Sequence, residues 1–168
     1  MPKIIENLEQ NLIDEARRQV AASGYSAVTI RSVATACGVG VGTVYNYFPS
    51  KEALLASFML EDWKHCMQAI TEASAAACDA QPVARCIYEQ LVAFARLHQA
   101  IFRDEVAAHS FAGSFSSYHT MLRSQLAAPL RRFCRDDFTA EFAAEALLVW
   151  SMHGKTFDEI YGITGKLF

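Results

Sequence analysis

One short stretch of the sequence places small and hydrogen-bonding side chains side by side, with no charge among them. If this stretch is a helix, Gly42, Thr43 and Asn46 share its outward side, and Tyr45 and Tyr47 lie at the edges. Hydroxyl and amide groups bond to base edges and phosphates, and a glycine lets the backbone approach closely. These residues therefore suit contact with a nucleic-acid groove.

The surrounding sequence has the periodicity of two short helices that pack together. Apolar residues of the first recur at i, i+3, i+4 and i+7, namely Ile30, Val33, Ala34 and Cys37. The second, over residues 41–47, turns Val44 inward as an apolar plug between the two helices. Gly38 can adopt the left-handed backbone that turns the chain after the first helix. The pattern predicts a helix-turn-helix within residues 29–51.

The segment GVGVGTVYNYFPSKEALL resembles the DNA-binding signature of the tetracycline-repressor (TetR) family of one-component regulators. The resemblance covers roughly residues 13–55, about a quarter of the chain. Gly40 stands where the family usually has a serine that caps the second helix. Glycine is tolerated as an N-cap at a cost of only a few tenths of a kcal/mol.

The resemblance implies roles for individual residues. Thr43 and Tyr45 would contact bases or the phosphates near them. The sugar-phosphate backbone would be bound by Thr29, Arg31, Tyr47 and Lys51. Arg31 lies just inside Thr29, the expected N-cap of the first short helix.

The resemblance also implies an all-α architecture with two parts. Residues 1–50 would form a three-helix DNA-binding domain, and residues 51–168 a ligand-sensing and dimerisation domain joined to it by a long helix. A homodimer would bind a near-palindromic operator, with successive major grooves about 34–36 Å apart. An effector would change operator affinity by moving the long helix, and such family members are most often repressors.

The charge distribution agrees with contact at one end of the molecule. The chain has a net charge of −3, yet residues 16–51 contain no Asp or Glu and four basic residues, Arg17, Arg18, Arg31 and Lys51. From position 57 onward there are 10 basic and 13 acidic residues. The distribution predicts a basic head on an acidic body.

Periodicity predicts further helices along the chain. Their expected spans are residues 5–23, 51–78, 82–100, 102–111 and 116–134, the last one kinked at Pro129, and a final helix capped by Thr139. Pro82 is expected at the first helical position. Residues 113–117 are expected to break the helical run. The stripe of the final helix is Phe142, Ala146, Leu147, Trp150 and Gly154, and the tail 158–168 is expected to be weakly helical at best.

Polar and aromatic side chains of the body could line an effector cavity. The candidates are Trp63, Met67, Phe94, His98, Phe115, Tyr118, His119 and Trp150. Many of them could equally be core residues without a ligand. A lining of this kind predicts a small, largely apolar effector. Trp150, Phe157 and Tyr161 are candidates for the dimer seam.

Several function classes find no support in the sequence. It has no catalytic serine elbow, P-loop, dinucleotide-binding glycines or HExxH motif, so we expect no enzyme, no cofactor and no metal site. It lacks a signal peptide and a membrane-length apolar run. Five cysteines without paired spacing favour reduced thiols in the cytoplasm. Two alternatives stay open, a redox sensor using Cys66, Cys86 or Cys134, and a DNA-binding protein that takes no ligand.

Overall fold

The computed structural model describes residues 7–168, without the side chains of residues 112–117. No strand occurs in that range, which confirms the all-α prediction. The α-helices found there are α1 (Leu8–Ser23), α2 (Ile30–Ala36), α3 (Val41–Tyr47), α4 (Lys51–Ala76), α5 (Ala80–Leu97), α6 (Gln99–Phe102), α7 (Glu105–Ala127), α8 (Asp137–Met152) and α9 (Phe157–Thr164). Two 3₁₀ helices, η1 (Ala128–Phe133) and η2 (Gly165–Leu167), complete the order. None of the helices in the described range is both long and apolar enough to cross a membrane.

The first helices begin and end at local sequence signals, among them the predicted Thr29 cap. The stripe Leu8, Leu12, Ala16 and Val20 of α1 is buried, and the helix ends at Gly24, whose φ is 80°. The Thr29 hydroxyl caps α2 by accepting from the Ser32 N–H. The first predicted residues of α1 lie outside the described range. Pro49 follows α3, because its ring cannot continue a helix.

Several predicted boundaries in the middle of the chain were wrong. α5 begins at Ala80, so Pro82 is its third residue, and the Asp79 carboxylate accepts from the Gln81 N–H at 3.0 Å. Proline is tolerated there because the N–H groups of a first turn have no acceptor within the helix. The predicted break at residues 113–117 is absent, since α7 runs continuously from Glu105 to Ala127. A glycine costs a helix only about 1 kcal/mol, which a long helix can absorb. The chain does leave the α-helix before Pro129, which lies in η1.

The C-terminal predictions need two corrections. Asp136, not Thr139, caps α8, and its carboxylate accepts from the Thr139 N–H at 2.7 Å. A carboxylate at this position also benefits from the positive end of the helix dipole. The tail forms a real helix, α9, which opens with a capping box between Thr156 and Glu159. These reciprocal bonds begin α9 despite the glycines that follow.

The described chain divides into two compact units, neither of which is one continuous stretch. Unit 1 consists of residues 7–61 and 98–112, and unit 2 of residues 62–97 and 113–168. In unit 1, Leu12, Val33, Val44, Leu55, Phe58 and Ile101 share one core. In unit 2, Trp63, Ile70, Ile87, Leu126, Leu147 and Phe157 share another. The functional boundary expected at residue 50 stays a prediction.

The capping box of α9 generates a prediction about acid stability. Bonds from the Thr156 backbone N–H, then from Lys155 and the Thr156 hydroxyl, lower the pKa of Glu159 from 4.5 to about 2. Because the pKa is lower in the folded chain, the contribution is complete above pH 4.5 and lost as the pH falls towards 2. We expect Glu159→Gln to lower the unfolding temperature at pH 7 and to change it little at pH 2.5. Thermal unfolding followed by circular dichroism measures this difference. Glu89→Gln on α5 is the control, and an equal effect of both changes at both pH values would contradict the assignment.

Candidate nucleic-acid interface

Three small or apolar residues hold α2 and α3 together. Val33, Ala34 and Val44 are all buried, at 1% exposure or less. Between the helices Gly38 has φ 68°, and the Val39 N–H donates to the Ala34 carbonyl at 3.0 Å. A left-handed residue at this point lets the chain reverse without strain only because it is glycine. The helix-turn-helix geometry read from the sequence is therefore present in the structure.

The outward side of α3 is polar and uncharged. Gly42, Tyr45, Asn46 and Tyr47 are exposed, and Thr43 is partly exposed. A Cβ added at Gly42 would meet no heavy atom within 4 Å, so the surface above this residue is open. The polar side is fixed in place by the opposite side of the helix, where Val44 and Phe48 are buried. The sidedness of α3 is as the sequence indicated.

Two predicted backbone-binding residues lie at the start of α2. Arg31 is exposed on the first turn of the helix. Thr29 is also exposed, and its hydroxyl already accepts from the Ser32 N–H at 3.0 Å. The Ser32 hydroxyl in turn accepts from the Thr29 backbone N–H. It also donates to the Gln19 side-chain carbonyl at 2.6 Å, and this bond connects α2 to α1. The role of Ser32 was not foreseen, although a serine three residues after an N-cap is the spacing that a capping box requires.

Two of the four basic residues of the 16–51 window are paired with acids in the structure. Arg17 lies 3.3 Å from the Glu61 carboxylate, and Arg18 lies 2.6 Å from that of Glu15. Both acids lie outside the 16–51 window, Glu15 directly before it and Glu61 farther along the chain, so a count over the window did not include them. The pairing leaves the head less positive than the predicted +4.

Lys51 points inward. Its Nζ donates to the Tyr25 carbonyl at 2.6 Å and lies 3.7 Å from the centroid of the Tyr25 ring. Burial lowers the pKa of this ammonium, while Glu52 and Asp104 act in the opposite direction. Tyr25 is only 1% exposed, and its hydroxyl donates to the Glu52 carboxylate at 3.0 Å. The sequence pattern did not single out this residue. A tyrosine directly after the helix-ending glycine was the available signal.

The eight candidate ligand residues do not share one environment. Trp63 and Phe94 meet edge to face at 5.7 Å in the unit 2 core, and Met67 packs against the same core. His98 is buried in unit 1, stacked on Phe58 at 5.8 Å.

The remaining candidates lie nearer the surface or outside the description. Tyr118 and Trp150 are about half exposed. His119 lies 3.4 Å from the Glu145 carboxylate. The Phe115 side chain is outside the described residues. The assignment of all eight as effector contacts stays a prediction.

The three thiols of the redox alternative, Cys66, Cys86 and Cys134, do not have the environment of reactive cysteines. All five cysteines are free, and burial raises the pKa of four of them, Cys37, Cys66, Cys86 and Cys134. A raised pKa lowers the thiolate fraction on which oxidation depends. No group of three or more His, Cys, Asp or Glu residues that could hold a metal occurs in the described part of the chain.

Comparison with known proteins assigns the helix-turn-helix. Residues 12–58 match the family described as bacterial regulatory proteins, tetR family. This region of the chain belongs to the tetR family. The match contains α2, α3 and the start of α4.

Curated relatives share this N-terminal region with the chain. The HTH-type transcriptional repressor KstR of Rhodococcus jostii (strain RHA1) is 38% identical over 55 residues, which are 33% of this chain and 26% of that protein. The uncharacterized HTH-type regulator YuxN of Bacillus subtilis (strain 168) is 39% identical over 51 residues, 30% of this chain and 18% of that protein. The chain thus spans less than a third of the length of these relatives.

Solved structures share the fold over nearly the whole chain. The transcriptional regulator SCO7518 of Streptomyces coelicolor A3(2) superposes with a TM-score of 0.71 at 16% identity, covering 95% of this chain and 97% of that one. Thermus thermophilus FadR, a TetR-family repressor in complex with lauroyl-CoA, gives a TM-score of 0.62 at 20% identity, covering 95% and 92%. At such identities the likeness establishes the fold.

The open surface above Gly42 generates a prediction that separates folding from binding. Alanine is favoured over glycine inside a helix by about 1 kcal/mol, and the added methyl meets nothing in the free protein. Gly42→Ala should therefore raise the unfolding temperature slightly while weakening binding to duplex DNA, because the methyl occupies the space that the groove needs. Calorimetry and fluorescence anisotropy measure the two effects.

Gly40→Ser is the matched control for Gly42→Ala. Its Cβ would lie an ordinary 3.8 Å from Thr43 Oγ1, and its hydroxyl could cap α3. It should be neutral or slightly stabilising and should keep DNA binding. Undiminished binding by Gly42→Ala would remove Gly42 from the interface.

Proposed function

We propose that this tetR-family chain is a DNA-binding transcriptional repressor that inserts α3 into the major groove of an operator. The observation that carries the proposal is the uncharged, exposed side of α3, fixed from behind by the buried Val44 and Phe48. An α-helix fits the B-DNA major groove, and hydrogen-bonding side chains read base edges there. Thr43, Tyr45 and Asn46 are the residues we assign to bases or nearby phosphates.

Backbone contacts fix the register of such a complex. We assign phosphate contacts on either side of the inserted helix to Arg31, at the exposed start of α2, and to the exposed Tyr47, at the end of α3. The exposed Thr29 lies at the N-terminus of α2, where backbone N–H groups and the helix dipole favour an anion.

A homodimer would use the exposed apolar side of α8 and α9. Phe138, Phe142, Trp150 and Ile163 are between 50% and 73% exposed. Phe142, Trp150 and Ile163 line a groove on this surface. Ala146, Ile160 and Thr164 line the same groove. Contiguous apolar surface of this kind marks interaction sites on folded proteins. Of the seam candidates named from the sequence, Phe157 is buried within its own chain and so is not available.

A small effector would act through the body of the protein. The solved structures of this fold include Thermus thermophilus FadR in complex with lauroyl-CoA, whose acyl chain is apolar, and the flavonoid-responsive regulator FrrA. Trp63, Met67 and Phe94 form an aromatic and sulfur-containing cluster of matching character. An effector that distinguishes two conformations of the body would change operator affinity by about 5- to 150-fold.

Selection of random duplex DNA on the purified protein tests the proposal. Sequencing of the bound pool should return a near-palindromic consensus, because a two-fold dimer presents two copies of α3. Light scattering on the same sample gives the mass. A non-palindromic consensus with a monomer mass would refute the dimer, and no enrichment with a dimer mass would refute sequence-specific binding. Operator affinity insensitive to a panel of acyl-CoA and flavonoid compounds would favour a regulator without a ligand.

The reading residues generate a prediction on specificity. Thr43→Ala should relax selectivity at one base position and weaken binding to the selected operator by about 1–3 kcal/mol. Asn46→Ala should act at a neighbouring position. Because both side chains lie outside the core, circular dichroism should show an unchanged fold. Equal losses on the operator and on random DNA would mean that these residues contact the backbone instead.

The exposed α8–α9 surface generates a prediction on assembly. Phe142→Glu and Ile163→Glu place charges in the proposed interface and should convert the dimer to a folded monomer with much weaker operator binding. Light scattering and sedimentation measure the mass. Leu97→Glu, at another exposed apolar position (60%), is the matched control and should leave the dimer intact. Dimers that survive both changes would place the interface elsewhere.

A further inference from the structure

The Lys51 side chain makes two short internal contacts with a single residue. Its ammonium donates to the Tyr25 carbonyl at 2.6 Å and lies 3.7 Å from the centroid of the Tyr25 ring. The same carbonyl accepts from the Val28 N–H at 3.2 Å, so both of its lone pairs are used. A cation held against a buried aromatic face, with a charged hydrogen bond, is an anchored group and not a mobile surface lysine.

The segment that Lys51 holds is the turn between α1 and α2. Tyr25 is 1% exposed, and its hydroxyl donates to Glu52, the next residue of α4. On its other side the turn is held by Ser26, which donates to Asp104 at 2.7 Å, and Asp104 itself caps the start of α7. The turn is therefore held within unit 1 by two attachments, Tyr25 to the start of α4 and Ser26 to Asp104. The first of these depends on Lys51.

The position of this turn determines where the DNA-binding side is presented. α2 begins at Ile30, a few residues after Tyr25, and α3 is packed on α2 through Val44. Displacing the Tyr25 backbone would therefore shift the start of α2, and α3 with it. The first turn of α4, which carries Lys51, is the fixed support.

We infer that Lys51 is a positioning residue that anchors the α1–α2 turn to the first turn of α4, and that it does not bind a DNA phosphate. This assignment replaces the backbone contact implied by the family resemblance, and it rests on the proposed function as far as its effect on DNA is concerned. To reach a phosphate, the ammonium would have to leave both the Tyr25 carbonyl and the Tyr25 ring. Lys51 then acts on operator affinity through Tyr25.

The geometry can be tested without DNA by NMR. A methylene next to an ammonium held over an aromatic ring is shifted upfield, so the Lys51 Hε signals should lie upfield of those of Lys64, an exposed lysine of α4. Tyr25→Leu should return them to the ordinary position. Unshifted Lys51 signals in the wild-type protein would overturn the inference, whatever the outcome for DNA binding.

The effect on DNA is tested by the salt dependence of operator binding. Lys51→Met keeps the apolar stem and removes the donor, and should weaken binding by about tenfold, the lower end of what a hydrogen bond to a charged group contributes. The slope of log K against log salt should not change. Arg31→Met is the matched control and should reduce the slope by about one. Lys51→Arg, which can donate to the same carbonyl, should restore most of the affinity.

The remaining outcomes have separate meanings. A slope lowered by about one in Lys51→Met would make Lys51 a phosphate contact and overturn the inference. A lower unfolding temperature with unchanged operator affinity would reduce its role to stability alone and also overturn it. If Lys51→Met does not fold, the NMR spectrum of the wild-type protein bound to its operator decides: the Lys51 Hε signals stay upfield if the ammonium remains over the Tyr25 ring, and return to their ordinary position if it moves to a phosphate. Absence of operator binding in the wild type would refute the proposed function, while the NMR result still decides the anchoring of Tyr25.

Discussion

The burial of Val44 between α2 and α3 is the contact on which the interface depends. A helix of seven residues such as α3 is unstable alone in water, because nucleation costs more than so few backbone bonds return. α3 also lacks a side-chain cap, since Gly40 precedes it. Its helical shape is therefore supplied by packing, through Val44 and Phe48 against the unit 1 core. Every polar side chain on the opposite side takes its direction from that packing.

Most basic side chains of residues 16–51 interact with neighbouring groups of the protein, which a count of charges along the sequence does not show. Arg17 and Arg18 are paired with acids, and Lys51 is held by Tyr25. Binding by such a surface would depend on hydrogen bonds and close fit at α3, with a limited contribution from counterion release. The open surface above Gly42 is consistent with recognition by close fit.

The C-terminal half illustrates a limit of periodicity. The apolar stripe predicted on α8 contains Phe142 and Trp150, and both side chains are about half exposed. The buried side of the same helix is made of smaller residues, Ala140, Ala143, Ala144 and Leu147. An apolar stripe shows that a helix avoids water on one side, but it does not distinguish the chain's own core from a surface that another chain could cover. Because α8 is apolar on both its buried and its exposed side, the periodicity of its sequence does not indicate which side is buried in the chain's own core.

Local sequence determined much of the DNA-binding unit, because its signals act within one or two turns. The Thr29 cap, the left-handed Gly38, the span of α3 and the inward Val44 all depend on near neighbours, and all were predicted correctly. The family could be recognised for the same reason. Tertiary structure alone decided what depends on residues distant in sequence. The packing of residues 98–112 into unit 1, the pairing of Arg17 with Glu61 and the inward turn of Lys51 towards Tyr25 are of this kind. The sequence shows which charged and polar side chains are present, but only the folded chain brings two particular side chains, such as those of Arg17 and Glu61, within bonding distance.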